Sequence, residues 1–410
     1  MIARHEPTCT SVTYFSHVDT AWSYCVLYFA ALQIVLLINS FVPLLPSNRK
    51  MVTVKATSFT PRALIGIGNP LLDILASVPN SFIAKYKLEL NNMYLAEKHH
   101  MPLYREMQNE YDVLYVPGGA TQNSIRICNA LFNKRDAPIC FSGCIGNDSS
   151  GEKMKALLKE EGVEGFFVVD GSAPTGECAV LINADDRALC TNLGAANCYP
   201  LNFLKEQLWP TIEKSDIVYS AGYFITVCFE GMMECGKLCS ETGRLYCTNL
   251  SAIFILEFFY DKISQVLPYV DVLFGNAAEY RAFAKSAKFG TDDLEEIGKR
   301  ICSSPKESTK NPRLVVITQS ANPVIVLENK NNNIVVTKFP VKQLAYTDIV
   351  DCNGAGDAFV GGFMYGLMNK LDIDHCVAYG NHAASHILRH SGCAFTDEIS
   401  NFSFSESVQE

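Results

Sequence analysis

The sequence has few charged residues and lacks the patterns that mark several common classes of protein. Only 19% of its 410 residues are charged, and the net charge is −9. No long basic run is present, which argues against a nucleic-acid-binding surface. There is also no low-complexity tract and no repeat with the period of a solenoid. The composition, 48% hydrophobic, is that of an ordinary globular protein with a large core.

The sixteen cysteines lack the C-x-x-C pairs and Cys/His spacings of metal-binding modules. The closest pairs are Cys140 with Cys144 and Cys235 with Cys239. A disulfide framework is typical of small secreted domains, and this chain is neither small nor rich in loops. We therefore expect buried thiols in a reducing compartment, the cytoplasm, with the nucleus as an alternative.

An apolar segment at residues 22–46 stands out in the N-terminal extension, residues 1–61. It is nearly long enough to span a bilayer, which needs ~20 apolar residues, although three polar residues interrupt it. Three interpretations remain open: an extension without a structural role or an alternative start at Met51, a membrane anchor, and a signal peptide. Membrane association is expected only if residues 22–46 insert, and the positive-inside rule then leaves the rest of the chain in the cytosol.

From residue 62 to residue 400 the pattern alternates between strands and helices, which predicts one α/β domain followed by a tail, residues 401–410. The predicted strands are 63–67, 139–145, 216–221, 244–249, 271–274 and 313–318, and the predicted helices are 121–132, 151–161, 229–240, 255–267, 277–286, 357–369 and 374–389. This order favours a doubly wound, mostly parallel sheet with helices on both faces. Ligands of such sheets bind at the carboxyl ends of the strands.

Two segments break the alternation, residues 93–116 and 177–192, because their strand-like runs have no helix between them. We predict a small β lid over the sheet edge, built from residues of about 73–76, 93–118 and 171–196. A lid suits phosphoryl transfer, since excluding water prevents wasteful hydrolysis of the phosphoryl donor.

The most informative stretch is DCNGAGDAFVGGF at residues 351–363, a glycine-rich turn that leads into a helix. Free backbone N–H groups of Gly354, Ala355 and Gly356 at the start of this helix would form an anion site suited to phosphate. Asp357 does not fit a site that only binds phosphate, because its carboxylate would repel the anion. It is either a general base for an attacking hydroxyl group or an acid that stabilises the helix N-terminus.

Two further motifs follow predicted strands. In GNPLLD at 68–73, Asp73 either accepts hydrogen bonds from a vicinal diol or closes a turn. In GGATQN at 118–123, the glycines allow a close backbone approach and Asn123 offers an amide to a hydroxyl group, whereas the alternative is a helix cap at Thr121.

A fourth motif, NAAE at 276–279, places Asn276 and Glu279 on one face of a predicted helix. The two side chains could hold a hydrated Mg²⁺, which keeps most of its waters and takes few protein ligands. The alternative is a capping box, with Asn276 as the N-cap and Glu279 at the third helical position.

Taken in order, these motifs resemble the ribokinase-like (PfkB) family of carbohydrate and nucleoside kinases, and within it the members that phosphorylate adenosine. The matching stretches are GNPLLDI at 68–74, TQNSIR at 121–126, GCIGND at 143–148, PTGEC at 174–178, AANCY at 195–199, NLSA at 249–252, PYVDVLFGN at 268–276 and NGAGDAFVGGF at 353–363. The resemblance covers residues 62–396. It implies a monomer that transfers the γ-phosphoryl group of ATP to the 5′-hydroxyl group of adenosine, with Mg²⁺ as cofactor, to give AMP in purine salvage.

The resemblance also implies roles for individual residues. Asp357 is implied to be the catalytic base, and Gly354, Ala355 and Gly356 the anion hole, with Arg187 assisting from the lid. The other implied contacts are Asn69, Asp73, Gly119 and Asn123 for the ribose; Cys178, Leu189 and Phe224 for the adenosine pocket; Asn276, Thr318, Asn353 and Asn381 for the nucleotide; and Glu279 for the metal.

The sequence departs from the family pattern without losing a catalytic group. The departures are Cys352 for a threonine, Ala120 for a serine, Thr191 for a small apolar residue, Ile253 for a proline and Asn381 for a histidine. Two alternatives therefore remain: a kinase for another ribonucleoside or a sugar, and a catalytically silent nucleoside-binding protein. The apolar side chains implied for the pocket favour a base over a free sugar, and the intact Asp357 argues against lost catalysis.

Overall fold

The structure is a computed structural model, and it describes residues 64–132, 137–184, 186–308, 310–330 and 333–402. The predictions for the segment 22–46, for the start at Met51 and for most of the tail concern residues outside these ranges. In the part of the chain that is described, no helix is both long and apolar enough to cross a bilayer. None of the described cysteines forms a disulfide bond, as the sequence predicts.

The strands form two separate sheets. In chain order they are β1 (Leu64–Ile67), β2 (Leu71–Ser77), β3 (Met93–Leu95), β4 (Leu114–Gly118), β5 (Ile139–Gly146), β6 (Glu164–Asp170), β7 (Glu177–Asn183), β8 (Asp186–Asn192), β9 (Ile217–Ala221), β10 (Leu245–Asn249), β11 (Val272–Asn276), β12 (Leu314–Gln319), β13 (Asn322–Lys330) and β14 (Asn333–Phe339). The larger sheet has nine strands in the order β14-β13-β12-β11-β10-β9-β1-β5-β6. From β12 to β6 in this order all neighbours are parallel, whereas β13 and β14 form an antiparallel hairpin at one edge. The predicted mostly parallel α/β sheet is confirmed.

Helices cover both faces of the larger sheet. In chain order the helices are α1 (Asn80–Lys85), α2 (Met101–Glu110), α3 (Ala120–Leu131), α4 (Ser149–Glu160), α5 (Leu201–Phe203), α6 (Trp209–Ile212), α7 (Phe229–Thr242), α8 (Ile253–Phe258), α9 (Tyr260–Val266), α10 (Ala277–Ser286), α11 (Leu294–Cys302), α12 (Ala355–Met368) and α13 (Ile373–Ile387). Of these, α1 and α2 pack on the second sheet instead. Alternate residues of a strand point to opposite faces, so Ile65 packs in the core beneath α7 to α11 and Leu64 in the core beneath α3, α4, α12 and α13. Because helices bury both faces of the sheet, the central strands are almost continuously apolar.

The second sheet has five strands in the order β3-β8-β7-β2-β4. It contains the segments predicted to form a lid, but residues 93–116 do include a helix, α2, contrary to the expectation of strands alone. Pro102 stands in the first turn of α2, and Leu103, Tyr104 and Met107 lie on its buried face against this sheet. Tyr104 and Met107 follow Leu103 by one and four positions, which is a helical spacing. The short strands on each side of this segment masked the helical pattern in the sequence.

Other elements also differ from the sequence-based expectation. The helix predicted at 255–267 is two helices, α8 and α9, separated by Phe259, whose backbone angles (φ −123°, ψ 17°) are not helical. The helix α11 and the hairpin β13–β14 were not predicted. Strand β2 contains residues 73–76, which the sequence assigned to the β lid, and Asp73 lies within this strand and does not close a turn.

Glycines in α12 allow unusually close contacts with its two neighbouring helices. A Cβ atom on Gly361 would lie 2.6 Å from the Ser124 carbonyl oxygen of α3, and one on Gly362 would lie 2.3 Å from the Tyr379 carbonyl oxygen of α13. The helix can therefore approach both neighbours only because these positions have no side chain. This packing positions the N-terminus of α12 beside the N-terminal half of α3.

We expect Gly362→Ala to lower the free energy of unfolding by about 1–3 kcal/mol, since the added methyl group must push α13 away from α12. Chemical denaturation followed by circular dichroism measures this change. Gly171→Ala is the matched control, because a Cβ atom at Gly171 would meet nothing within 4 Å. Equal stability of the two variants would contradict the close packing of α12 and α13.

Candidate functional site

The cleft is formed where β1 and β4 end and where α12 begins. Between β1 and β2, the Asn69 side chain donates a hydrogen bond to the Ala196 carbonyl oxygen at 3.1 Å. Its Oδ1 atom is buried and has no hydrogen-bond partner within the described part of the chain. A buried acceptor without a partner is costly, so this atom is suited to receive a hydrogen bond from a ligand.

The turn Gly118–Gly119 brings the first two motifs into contact. Gly119 has a positive φ of 95°, and a Cβ atom there would lie 2.2 Å from the Asn69 carbonyl oxygen. A Cβ atom on Gly118 would lie 2.3 Å from Oδ1 of Asp73. Only glycine fits at both positions. The turn therefore places Asn69, Asp73 and the start of α3 side by side.

Two polar residues in the first turns of α3 face inward. The Thr121 hydroxyl group accepts a hydrogen bond from the Ala221 N–H at 3.0 Å, and the N-cap residue is Gly119. Thr121 is therefore not the helix cap that the sequence allowed. Asn123 donates from Nδ2 to Oδ2 of Asp357 at 3.0 Å, and its Oδ1 is buried without a partner among the described residues.

Asp357 lies at the third position of α12, whose N-cap residue Gly354 adopts a left-handed conformation (φ 77°). The Ser124 hydroxyl group donates to the Asp357 carbonyl oxygen at 2.9 Å, which anchors this turn to α3. Burial raises the pKa of the Asp357 carboxyl group to about 7, although the hydrogen bond from Asn123 opposes the shift. The carboxyl group thus titrates near neutral pH, as a general base should.

Asp73, on β2, is the second carboxyl group of the cleft. Its pKa is also raised to about 7, chiefly by burial and further by the nearby charges of Asp357 and Asp351. The Arg126 guanidinium lowers it. Acidic groups that titrate near neutral pH are frequent at functional sites, since burial and like charge both disfavour ionisation there.

Arg187, on β8 of the second sheet, reaches the glycine-rich turn. Its guanidinium forms an ion pair with Asp351 at 2.5 Å and donates to the Val350 carbonyl oxygen. Asp351 also accepts hydrogen bonds from the Asn353 and Gly392 N–H groups, each at 2.8 Å. The sequence motifs predict no role for Asp351. Its position two residues before Asn353 is typical of a side chain that closes a turn, and this is the signal that marks it.

Of the residues implied to surround the adenosine, Cys178 and Leu189 lie together on the second sheet. Cys178 pairs with Asp73 in the β2–β7 register and accepts a hydrogen bond from Thr191 at 3.2 Å. Phe224 follows β9, is 1% exposed and packs edge-on against Tyr199 in the core of the larger sheet. In this structure the Phe224 ring belongs to that core and not to the apolar cluster of Cys178 and Leu189.

Asn276 and Glu279 form the capping box that was one of the two interpretations of this motif. Asn276 Oδ1 accepts from the Glu279 N–H at 2.9 Å, and Glu279 Oε2 accepts from the Asn276 N–H at 2.9 Å. Burial and the charge of Asp357 raise the pKa of Glu279 to about 7. A cation would relieve both effects, so Glu279 still suits a metal that is held mostly through water.

The three remaining positions lie on separate elements. Thr318 is the penultimate residue of β12 and pairs with Asn276 in the β11–β12 register. Its hydroxyl group lies 3.4 Å from the Gly275 carbonyl oxygen. Asn353 belongs to the glycine-rich turn, and Asn381 is a half-buried residue of α13. Among the described residues, no cluster of three His, Cys, Asp or Glu side chains could hold a metal ion by itself.

Comparison with known proteins gave a consistent set of relatives. The model of the pfkB family carbohydrate kinases matches residues 84–399. Adenosine kinase 2 of Arabidopsis thaliana is 42% identical over 82% of this chain and 96% of its own. The similar solved structures include Anopheles gambiae adenosine kinase in complex with P1,P4-di(adenosine-5) tetraphosphate, which is 41% identical with a TM-score of 0.71 over 80% of this chain and 96% of its own. They also include Schistosoma mansoni adenosine kinase in complex with 2-fluoroadenosine, which is 30% identical with a TM-score of 0.73 over 83% of this chain and 98% of its own.

We expect the free energy of unfolding of Asp357→Asn to exceed that of the wild type at pH 8. Most of this difference should disappear by pH 4. The carboxyl pKa is about 7 in the folded chain, against an ordinary value of 3.8. The folded state therefore binds the proton more tightly, and the stability from this group is full below pH 4 and lost as the pH rises through 7. Urea titrations from pH 4 to pH 8 measure the difference.

The control for this experiment is Asp112→Asn, at an exposed residue, which should change the unfolding free energy by no more than about 0.5 kcal/mol at each pH. A constant difference between Asp357→Asn and the wild type over the whole range would contradict the raised pKa of Asp357.

Proposed function

The chain belongs to the PfkB family of carbohydrate kinases, and on that premise we propose that it is an adenosine kinase, which transfers the γ-phosphoryl group of ATP to the 5′-hydroxyl group of adenosine. The observation that carries the proposal is the hydrogen bond of 3.0 Å between Asn123 and Asp357 at the N-terminus of α12, next to Asp73. It joins a candidate base, a candidate anion site and a candidate ribose site in one cleft. The product is AMP, which suits a role in purine salvage.

Asp357 is the proposed catalytic base. With a pKa of about 7, a substantial fraction of the carboxyl group is ionised at neutral pH and can take the proton of the 5′-hydroxyl group as it attacks phosphorus. The backbone N–H groups of Gly354, Ala355 and Gly356 stand at the start of a helix of 14 residues and would bind the phosphoryl group, where the helix dipole also favours negative charge. Arg187 would add a positive charge from the lid.

The ribose is proposed to lie over the double-glycine turn. Ionised Asp73 accepts hydrogen bonds from the 2′- and 3′-hydroxyl groups, and the unpartnered Oδ1 atoms of Asn69 and Asn123 accept from the sugar as well. Gly119 lets the sugar approach the backbone. The base then lies toward Cys178 and Leu189 on the second sheet, with Phe224 lining the pocket from the larger sheet once its ring is uncovered.

ATP is proposed to bind along Asn276, Thr318, Asn353 and Asn381, on the other side of Asp357. Glu279 is the residue that would hold Mg²⁺ through bound water, since a cation there favours the ionised form of its carboxyl group. The ion would neutralise charge on the phosphate oxygens. The location proposed for the protein is the cytoplasm, and its proposed state is a monomer.

The experiment that tests the function compares substrates for the full-length chain with ATP and Mg²⁺. Adenosine, inosine, guanosine, ribose and fructose are assayed for ADP formation, and adenosine should give the highest kcat/KM. A preference for another nucleoside or for a sugar would replace adenosine as the substrate. Adenosine binding in a calorimeter without ADP formation would show a nucleoside-binding protein instead.

We expect Asp357→Ala to lower kcat by roughly 10² or more, because general-base catalysis contributes about that factor. Adenosine affinity, measured by calorimetry, should change little. Asp374→Ala is the matched control, since Asp374 is an exposed acid in the first turn of the adjacent helix α13. Near-normal turnover by Asp357→Ala would remove the base from the mechanism.

We expect Asp73→Ala mainly to raise the KM for adenosine, because the lost contact forms in the ground state as well as in the transition state. Steady-state kinetics with varied adenosine and with varied ATP measures this effect, and the KM for ATP serves as the internal control. An unchanged KM for adenosine would exclude Asp73 from the ribose site.

A further inference from the structure

Resting on the proposed function, we propose that Arg126 is a positioning residue for the ribose site, which bridges the two glycine turns of the cleft and keeps a positive charge beside Asp73. Arg126 lies on α3, one turn after Asn123, and only 2% of its side chain is exposed. Arg126 is not among the residues that the family resemblance implies to contact the ligands.

The bridge is formed by a single nitrogen atom of the guanidinium group. Nη1 of Arg126 donates to the Pro117 carbonyl oxygen at 2.5 Å and to the Cys393 carbonyl oxygen at 3.1 Å. Pro117 directly precedes the Gly118–Gly119 turn. Cys393 backs the other turn, since a Cβ atom on Gly354 would lie 3.0 Å from the Cys393 Cβ atom. The segments behind the ribose turn and the phosphate turn are thus held by one side chain.

Glu161, at the end of α4, fixes the orientation of this side chain. It accepts from Nε of Arg126 at 2.6 Å and from Nη2 at 2.5 Å, a bidentate pair. The Asn129 side chain holds the Glu161 carbonyl oxygen at 2.7 Å. A planar guanidinium can satisfy a carboxylate and two carbonyl groups together, whereas the single ammonium of a lysine cannot match this geometry.

The charge of Arg126 acts on Asp73. The groups that face Asp73 are Arg126 from α3, Asp357 from α12, Asp351 from the glycine-rich turn and the Cys178 thiol from β7. Arg126 is the one cation among them and favours the ionised carboxylate, whereas the two acids oppose it. Ionised Asp73 is the better acceptor for ribose hydroxyl groups, so nucleoside affinity should depend on Arg126 without contact between the two.

The experiment compares Arg126→Met with Arg126→Lys in the full-length chain, by kinetics with varied adenosine from pH 5.5 to pH 9. Arg126→Met should raise the KM about tenfold at pH 7, change kcat less than about threefold, and move the acid limb of kcat/KM about one unit to higher pH. Arg126→Lys keeps the charge, so its acid limb should stay near that of the wild type while its KM remains raised at every pH.

Arg313→Lys is the matched control for loss of a buried arginine. Arg313 is 1% exposed and donates to backbone carbonyl groups of residues such as Val270, Leu267 and Ile301. None of its hydrogen bonds to described residues reaches the cleft. This variant should lower the Tm and leave both the KM and the acid limb unchanged.

An unshifted acid limb of kcat/KM in Arg126→Met would overturn the electrostatic part of the proposal. A wild-type KM in Arg126→Lys would overturn the bridge between the two turns.

Should Arg126→Met fail to fold, Glu161→Gln keeps the cation and removes its counter-charge. The acid limb should then move to lower pH, and an unmoved limb would count against the proposal.

A wild-type chain without activity on adenosine would refute the proposed function alone. The role of Arg126 would then be decided by the free energy of unfolding. Asp73→Asn should stabilise the chain more as the pH rises, and this pH dependence should be larger when Arg126→Met is also present.

Discussion

The hydrogen bond between Asn123 and Asp357 is the contact on which the geometry of the cleft depends. It joins the first turns of α3 and α12, two helices that each begin at a glycine with positive φ. The helices meet because Gly361 brings α12 against the backbone of α3, where a Cβ atom would lie 2.6 Å from a carbonyl oxygen. Close packing and the polar contact therefore support each other, and neither glycine turn is positioned by its own local sequence alone.

The same arrangement brings carboxyl groups together at buried and half-buried positions. Asp73, Asp357 and Glu279 all have pKa values raised to about 7, and burial is the main cause for each. Such groups lower the stability of the fold above neutral pH, because the folded state then holds buried negative charges. Arg126 offsets part of this effect at Asp73, and Arg187 pairs with Asp351 in the neighbouring glycine-rich turn.

The second sheet contributes more than a cover for the cleft. Strand β2 carries Asp73, β7 carries Cys178, and β8 carries Arg187, whose guanidinium is paired with Asp351 in the glycine-rich turn. This ion pair connects the second sheet directly to the glycine-rich turn. Any movement of β8 away from the larger sheet must break it, so the position of the second sheet and the exposure of Arg187 to a ligand are linked.

The sequence by itself determined the alternation of buried strands and helices in the larger sheet, because strands buried on both faces need continuous apolar runs. It also determined the four motifs at the edge of this sheet, because close backbone approach and positive φ angles require glycine. It predicted the capping box of Asn276 and Glu279 only as one of two interpretations, and it missed α2 and the hairpin β13–β14. Only the tertiary structure decided that Thr121 binds the Ala221 backbone, that Arg187 meets Asp351, and that Arg126 spans Pro117 and Cys393. These contacts join residues as far as 267 positions apart, and no local periodicity or spacing records such distances.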